Sequence, residues 1–293
     1  MNLSKFFLIG HLSTRVSLAF AVMLALLPVQ VSPALAQGAG DLIVAPTRIV
    51  LEGRTRSAQL SLVNKGSATA TYRISIINMQ MDDQGTVHEI KEPAPDLKTA
   101  EKLIRYSPRQ ITLKPGGTQA VRVLLRKPKD LKEGEYRSHI LFRAIPKDAG
   151  QSVEQSATTD GIQIKLTPIY GITIPVIVRH GKLQFAASLN DLEIQAAAKK
   201  NDLAILKFNI TRTGDKSTFG DLVATYKPSS GAEVVVGNIM RLAVYSPNKM
   251  RSVEMKLRVP DGVKLIGGTL KLAYMADADN GGKLLAENQI SLP

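Results

Sequence analysis

The residue types that most often carry catalysis are sparse in this chain of 293 residues. It has no cysteine, which excludes disulfides, thiol catalysis and cysteine-ligated metals. Its histidines beyond the N-terminal apolar segment are His88, His139 and His180, and none has a partner at a catalytic or metal-binding spacing. There is no G-x-S-x-G, H-E-x-x-H or P-loop motif. We therefore interpret these histidines as solvated or hydrogen-bonded structural residues and expect no enzyme and no cofactor, while a triad assembled from distant residues stays open.

One acidic turn, Asp277–Gly282, resembles part of a calcium-binding loop, because Asp277 and Asp279 stand two residues apart. The twelfth position of such a loop requires a bidentate glutamate, and here it is Asn288. An Asn-Gly pair in a short turn is typical of a β-hairpin. The sequence therefore predicts a hairpin turn here and no metal site.

Arg48 lies in the apolar stretch Val44–Leu51, which the pattern predicts as part of one strand from Asp41 to Leu51. Two interpretations compete. The side chain points to solvent opposite Ile49, or it offers a fixed pair of donors to a carboxylate in a groove between domains, a geometry that suits arginine better than lysine. The periodicity by itself favours the solvent-facing position.

The most regular stretch is Gly161–Arg179, where every second residue is apolar, aromatic or proline, which predicts a β-strand with one buried face. It is about three times the usual strand length. Pro168 and Pro175 cannot donate to a sheet ladder and so indicate a sheet edge. A long apolar edge templates pairing with other chains. It is therefore interpreted either as a strand kept for pairing or as two ordinary strands that meet near residues 168–171.

The remaining chain is a series of short alternating strands separated by Gly, Pro and Asn turns, which predicts β-sandwiches. A boundary near Arg179–Gly181 divides a first domain, residues 41–179, from a second, residues 181–293. Leu97–Ile104 has room for one or two helical turns, and Asp191–Lys200 is ambiguous between strand and turn.

The N-terminus has the pattern of a secretory signal peptide. Lys5 and Arg15 precede the apolar run Val16–Leu27, and Ala34-Leu-Ala36 forms a cleavage site, so residues 1–36 are predicted to be removed. A retained membrane anchor is the alternative. No other stretch is long and apolar enough to span a bilayer, so we expect no stable membrane insertion after cleavage. An exported chain without disulfides fits a bacterial periplasm.

The formal net charge of +13 has three possible uses: nucleic acid, an anionic envelope surface or an acidic partner. The basic residues are scattered along strands and turns without a basic run or interleaved aromatics. Together with the export signal, this pattern favours a solvated basic surface and no nucleic-acid partner.

Taken in order, these segments resemble the periplasmic chaperones of the chaperone–usher pilus pathway, the PapD-like family. The resemblance covers residues 41–179 well, whereas the second domain matches only in length and strand character. It is carried by Leu42–Gly53 with Thr47-Arg48 and Glu52-Gly53, by Arg105-Tyr-Ser-Pro108, Leu113-Lys-Pro-Gly116 and Val121-Arg-Val123, and by Glu135–Pro146 ending in Ala144-Ile-Pro146. The chain is similar to a divergent member.

The resemblance implies an all-β protein of two immunoglobulin-like β-sandwich domains in tandem. It also implies that the chain lends an edge strand to pilus or surface-fibre subunits before an outer-membrane usher receives them. The lent side chains are then Ile162, Ile164 and Leu166, and Arg48 anchors the carboxyl terminus of the subunit. The family pairs this arginine with a lysine, whose place falls either on Thr173, in the preferred alignment, or on Lys165.

A second hypothesis from a different class stays open at this point. It is a structural or adhesive envelope protein that shares the two-sandwich fold without lending a strand. A neighbouring gene for a large outer-membrane usher separates it from the chaperone hypothesis.

Overall fold

A computed structural model describes residues 41–146, 169–197, 203–260, 262–277 and 281–293. They are all-β, with one 3-10 turn at Glu101–Leu103, and belong to one compact unit. The prediction of an all-β chain with two sandwiches in tandem is confirmed. The helical turn expected within Leu97–Ile104 is limited to the 3-10 turn.

The first sandwich packs a sheet of order β1-β3-β8-β6 against a sheet of order β2-β10-β9-β4-β5, in which β7 also pairs with β4. All pairs are antiparallel except β2 with β10, which is parallel. The strands are β1 Leu42–Ala45, β2 Ile49–Leu51, β3 Ser57–Asn64, β4 Ala70–Met81, β5 Val87–Ile90, β6 Ile104–Ser107, β7 Gln110–Leu113, β8 Thr118–Leu125, β9 Gly134–Ile145 and β10 Gly171–His180.

The second sandwich packs a three-stranded sheet, β11-β12-β15, against a four-stranded sheet, β14-β13-β16-β17. Its strands are β11 Phe185–Gln195, β12 Ala204–Gly214, β13 Thr218–Lys227, β14 Val234–Val244, β15 Met250–Leu257, β16 Thr269–Ala276 and β17 Leu284–Ser291. The ambiguous stretch at Asp191 is strand as far as Gln195, with a register shift between Asn190 and Glu193. Residues 198–202 are outside the described part.

Each sandwich has its own core, built from the alternate residues of its strands. In the first, Leu60 and Leu62 of β3 and Phe142 of β9 are almost fully buried in one cluster. In the second, Leu206 of β12 and Tyr226 of β13 are buried in another. Each such side chain contributes roughly 1.5–3 kcal/mol relative to an exposed position. The alternation seen in the sequence is therefore the pattern that builds both cores.

The single strand expected from Asp41 to Leu51 is wrong, because the chain changes sheets within it. β1 pairs with β3 in one sheet, while β2 pairs with β10 in the other. The peptide bond between Ala45 and Pro46 is cis. Pro46 also has no N–H to continue the ladder of β1. Arg48 thus precedes β2 rather than lying inside a strand.

The two sandwiches are joined by a third apolar cluster of Met81, Ile177, Ala243 and Tyr245. Beside it, the Asn248 side-chain amide donates to the Met81 carbonyl at 2.9 Å. The Ser252 N–H donates to the Asp83 carbonyl at 2.7 Å. The hairpin between β4 and β5 thus contacts the second sandwich directly, and both sandwiches contribute to one continuous interface.

Candidate protein-binding site

The first part of β10 has a strand on one side only. β9 pairs with β10 along its whole length, from Gly171 opposite Arg143 to His180 opposite Gly134. On the other side, β2 pairs only with Val176–Val178. No strand of the described residues pairs with Gly171–Pro175 on that side. This free edge is the kind of surface to which an extended segment of another protein adds as a further strand.

The backbone groups of this free edge are defined by the pairing with β9. The Ala144 N–H donates to the Tyr170 carbonyl at 3.0 Å, so these residues form a hydrogen-bonded pair. Because such pairs alternate along an antiparallel ladder, Gly171, Thr173 and Pro175 direct their backbone groups away from β9. Pro175 lacks its N–H on the side where β9 does not need it. The free edge therefore offers the N–H and carbonyl groups of Gly171 and Thr173.

The side chains around this edge divide between core and surface. Ile174 is buried in the first core and Ile172 packs against it, whereas Thr173 lies half-buried on the outer face. Ile169 and Tyr170, just before β10, are 51% and 50% exposed. Two large side chains are thus half-exposed where the free edge begins.

Four of the six predicted site residues, Ile162, Ile164, Lys165 and Leu166, lie outside the described residues. The other two are Arg48 and Thr173. The first pair between β2 and β10 is Ile49 with Val176. Arg48, one residue earlier, is therefore level with Pro175 and two residues away from Thr173. This register does not bring Thr173 directly beside Arg48.

Arg48 borders a cavity of about 510 Å³ that both sandwiches line. Its Cζ lies 4.0 Å from the centroid of the Phe219 ring, which belongs to β13. Its Nε and Nη2 atoms are buried and have no hydrogen-bond partner. The solvent-facing position that periodicity favoured is wrong, because the second sandwich covers this side chain.

The cavity has an excess of positive charge. Its lining includes the basic residues Arg48, Arg179, Lys216 and Lys283 and the acidic residue Glu52. Burial lowers the pKa of Arg48; Tyr245 and, more weakly, Glu135 and Asp277 act in the opposite direction, while Arg179 lowers the pKa further. A buried guanidinium with unused donors favours an anion, and a carboxylate matches its planar geometry.

Arg179 is held by carboxylates. Its Nε donates to Glu135 Oε2 and its Nη1 donates to Glu52 Oε2, both at 2.9 Å. Glu135 also accepts hydrogen bonds from the Ser217 N–H, at 3.2 Å, and from the Ser217 hydroxyl. Glu135 and Arg179 belong to the first sandwich and Ser217 to the segment between β12 and β13, so this network ties the sandwiches together.

The sequence patterns did not identify Glu135 and Ser217 as part of this site. A strand that alternates Glu135, Arg137 and His139 with apolar residues indicates a solvated outer face. Instead, Arg137 is 3% and His139 4% exposed. The Arg137 Cζ lies 4.2 Å from the Tyr245 ring centroid, and its Nη1 donates to the Ser246 carbonyl at 3.1 Å. The solvated interpretation of His139 is therefore wrong, and its hydrogen-bonded alternative is not met at Nδ1, which has no partner.

Within the described residues, no group of three or more His, Cys, Asp or Glu side chains is arranged to hold a metal ion. Of the acidic turn, residues 278–280 lie outside the described part, and Gly281 and Gly282 form a turn before β17. No helix of the described ranges is long and apolar enough to cross a membrane. The predicted signal peptide, residues 1–36, lies outside these ranges.

Comparison with protein families gives a match over residues 53–162 to the family described as "IG-like fold at C-terminal of FixG, putative oxidoreductase". This match covers less than half of the chain. It falls within the first sandwich and the segment after β9, and agrees with an immunoglobulin-like fold there. A search of curated proteins by sequence gave no match.

Among solved structures, the chain is similar to the YadV chaperone, with a TM-score of 0.43, 12% identity, and 86% of this chain and 100% of YadV covered. It is similar to the chaperone CsuC of Acinetobacter baumannii, whose structure was solved in complex with a tip adhesion subunit. The TM-score is 0.41 and the identity 12%, and the match covers 86% of this chain and 97% of CsuC. It is also similar to the E. coli chaperone DraB, with a TM-score of 0.40 and 14% identity; the match covers 86% of this chain and 96% of DraB. The names of all three describe them as chaperones.

Proposed function

We propose that this protein is a periplasmic chaperone that binds pilus or other surface-fibre subunits by strand addition and later releases them to an outer-membrane usher. The observation that carries the proposal is the free edge at Gly171–Pro175, which runs directly to the cavity at Arg48. The resemblance of residues 41–179 to the PapD-like family agrees with it. The proposed role is binding and not catalysis.

Strand addition at this edge has a clear energetic basis. The N–H and carbonyl groups of Gly171 and Thr173 need partners in a complex, and each net hydrogen bond contributes about 0.5–1.5 kcal/mol. We propose that Ile162, Ile164 and Leu166 extend this edge and fill a groove of the subunit. Each of them adds roughly 1.5–3 kcal/mol before ordering costs.

Arg48 is proposed to bind the carboxyl terminus of the subunit. Because Arg48 is level with Pro175, a segment added along Gly171–Pro175 reaches the cavity at the end of the free edge. There the buried Nε and Nη2 atoms lack partners, and Lys283 and Lys216 add positive charge. Because Thr173 carries no charge, the further cations of this clamp are proposed to be Lys216 and Lys283. Lys165, ten residues before Pro175, would lie about 33 Å from it along an extended strand and is not proposed as part of the clamp.

The test is co-expression of the full chain with small secreted proteins encoded by neighbouring genes, followed by co-purification. Wild type is expected to retain a subunit. Arg48→Ala is expected to lower the affinity about tenfold or more, because a charge-assisted hydrogen-bonded contact is lost. Arg122→Ala, which removes an exposed arginine on β8, is the matched control and should capture the subunit like wild type.

Two further results decide the alternatives. Ile164→Asp should abolish capture, since a carboxylate cannot enter an apolar groove without a large penalty. If wild type purifies alone, the chaperone proposal fails and the structural or adhesive envelope protein is favoured. If Arg48→Ala captures as well as wild type, the carboxylate is bound elsewhere. Circular dichroism and thermal melting confirm that each variant is folded.

A further inference from the structure

Two arginines lie directly opposite each other on the outer face of the sheet that contains β10. Arg73 of β4 pairs with Arg143 of β9, and both side chains are exposed. The same row continues with Gln110 of β7 on one side and Gly171 of β10 on the other. Like charges directly opposite in an antiparallel pair destabilise it.

No acidic side chain of the described residues compensates this pair. None of the ion pairs between described residues includes either arginine. The nearest positions on the same face are neutral, namely Thr71, Ser75, Thr112, Leu141, Ile145 and Thr173. Among the described residues, the row is therefore a cationic patch without an acidic neighbour, beside the free edge of β10.

Gly171 leaves this patch open toward the free edge. It is exposed, and a Cβ atom at this position would lie 3.0 Å from Leu141 Cδ1, which is a tight contact. An added strand would lie two strand spacings from β9, about 10 Å. An arginine and a glutamate side chain together span this distance when no side chain stands between them. Arg143 thus has a path across β10 to a partner.

We propose that the partner segment added along β10 carries a glutamate or aspartate level with Gly171, and that Arg143 binds its carboxylate while Arg73, one strand further away, adds positive charge. This inference rests on the proposed strand addition and specifies its chemistry. The carboxylate also defines the register of the added segment, because a shift by one residue turns its side chain to the opposite face. The patch is distinct from Arg48, which lies in the cavity at the other end of the free edge.

The test uses the full chain and short labelled peptides that alternate valine and serine. One peptide is uncharged, and in the others a single glutamate is moved through each position in turn. Binding is measured by fluorescence anisotropy with wild type, with Arg73→Gln/Arg143→Gln and with the control Arg54→Gln/Arg122→Gln, which removes two exposed arginines elsewhere.

With wild type and the control, glutamate should raise the affinity about fivefold at low ionic strength, either at one peptide position or at two alternate positions that face the same side of the added strand. High salt should reduce this gain, because the charges are exposed. Arg73→Gln/Arg143→Gln should bind the uncharged peptide normally and lose the gain. Equal affinities for all peptides, or a gain that survives in this variant, overturn the inference. If no peptide binds wild type, the inference is overturned, whereas strand addition to a subunit is decided separately by the co-purification experiment.

Discussion

Replacing His139 by glutamine is expected to make the fold less sensitive to acid. His139 is 4% exposed, and its Nδ1 atom is buried without a hydrogen-bond partner. Burial, and then the neighbouring Arg137 cation, lower its pKa to about 3. The folded protein therefore keeps this imidazole neutral under conditions in which the unfolded chain protonates it.

The size of the effect follows from the two pKa values. In the unfolded chain the histidine has a pKa of about 6.5, so below that pH the unfolded state binds a proton that the folded state does not. Stability is unaffected by His139 above about pH 7 and falls as the pH falls from about 6.5 toward 3. Linkage predicts a loss of about 2 kcal/mol between pH 7 and pH 5, a large fraction of the usual stability of a domain.

The measurement is urea unfolding at several pH values between pH 7 and pH 5, followed by far-ultraviolet circular dichroism. Wild type should lose about 2 kcal/mol more over this range than His139→Gln. His88→Gln serves as the control, because the His88 side chain is 63% exposed. Equal pH dependence of wild type and His139→Gln would refute the reasoning, since it would mean that the folded protein protonates His139 as readily as the unfolded chain.

Two further predictions concern the interface between the sandwiches. Glu135→Ala should cost about 3–5 kcal/mol in urea unfolding, because it leaves buried Arg179 without its main partner. Glu52→Ala removes a half-exposed carboxylate and should cost less than about 1 kcal/mol. Similar costs for the two variants would contradict the assignment of Glu135 as the main partner of Arg179. Ile177→Ala removes a fully buried side chain of the joining cluster and should cost about 2–5 kcal/mol. The control is Leu124→Ala at an exposed position, which should change the free energy of unfolding by no more than about 0.5 kcal/mol. An equally small change for Ile177→Ala would show that the cluster does not hold the interface.

Two arginine side chains at the site, Arg48 and Arg137, would be exposed to solvent in an isolated first sandwich. Arg48 is covered by Phe219 of the second sandwich, and Arg137 by Tyr245 and Ser246. The second sandwich therefore has a physical role in the proposed binding. It desolvates Arg48, which strengthens the attraction of this guanidinium for an anion.

The sequence by itself determined the parts of the fold that depend on neighbouring residues. A period of two is a local property of an extended chain, so the buried apolar positions of β3, β8 and β12 follow from the order of residues. The same holds for β10 as far as it is described, where Ile172, Ile174 and Val176 alternate inward.

Only the tertiary structure decided which strand ends lie together. The change of sheets at Pro46, the register that sets Glu135 opposite Arg179, and the pairing of β2 with only part of β10 all join residues far apart in the chain. An alternating pattern specifies which side of a strand is apolar, but not what later covers the polar side. Arg48 and Arg137 therefore have the pattern of exposed residues, although Phe219 and Tyr245 of the second sandwich cover them.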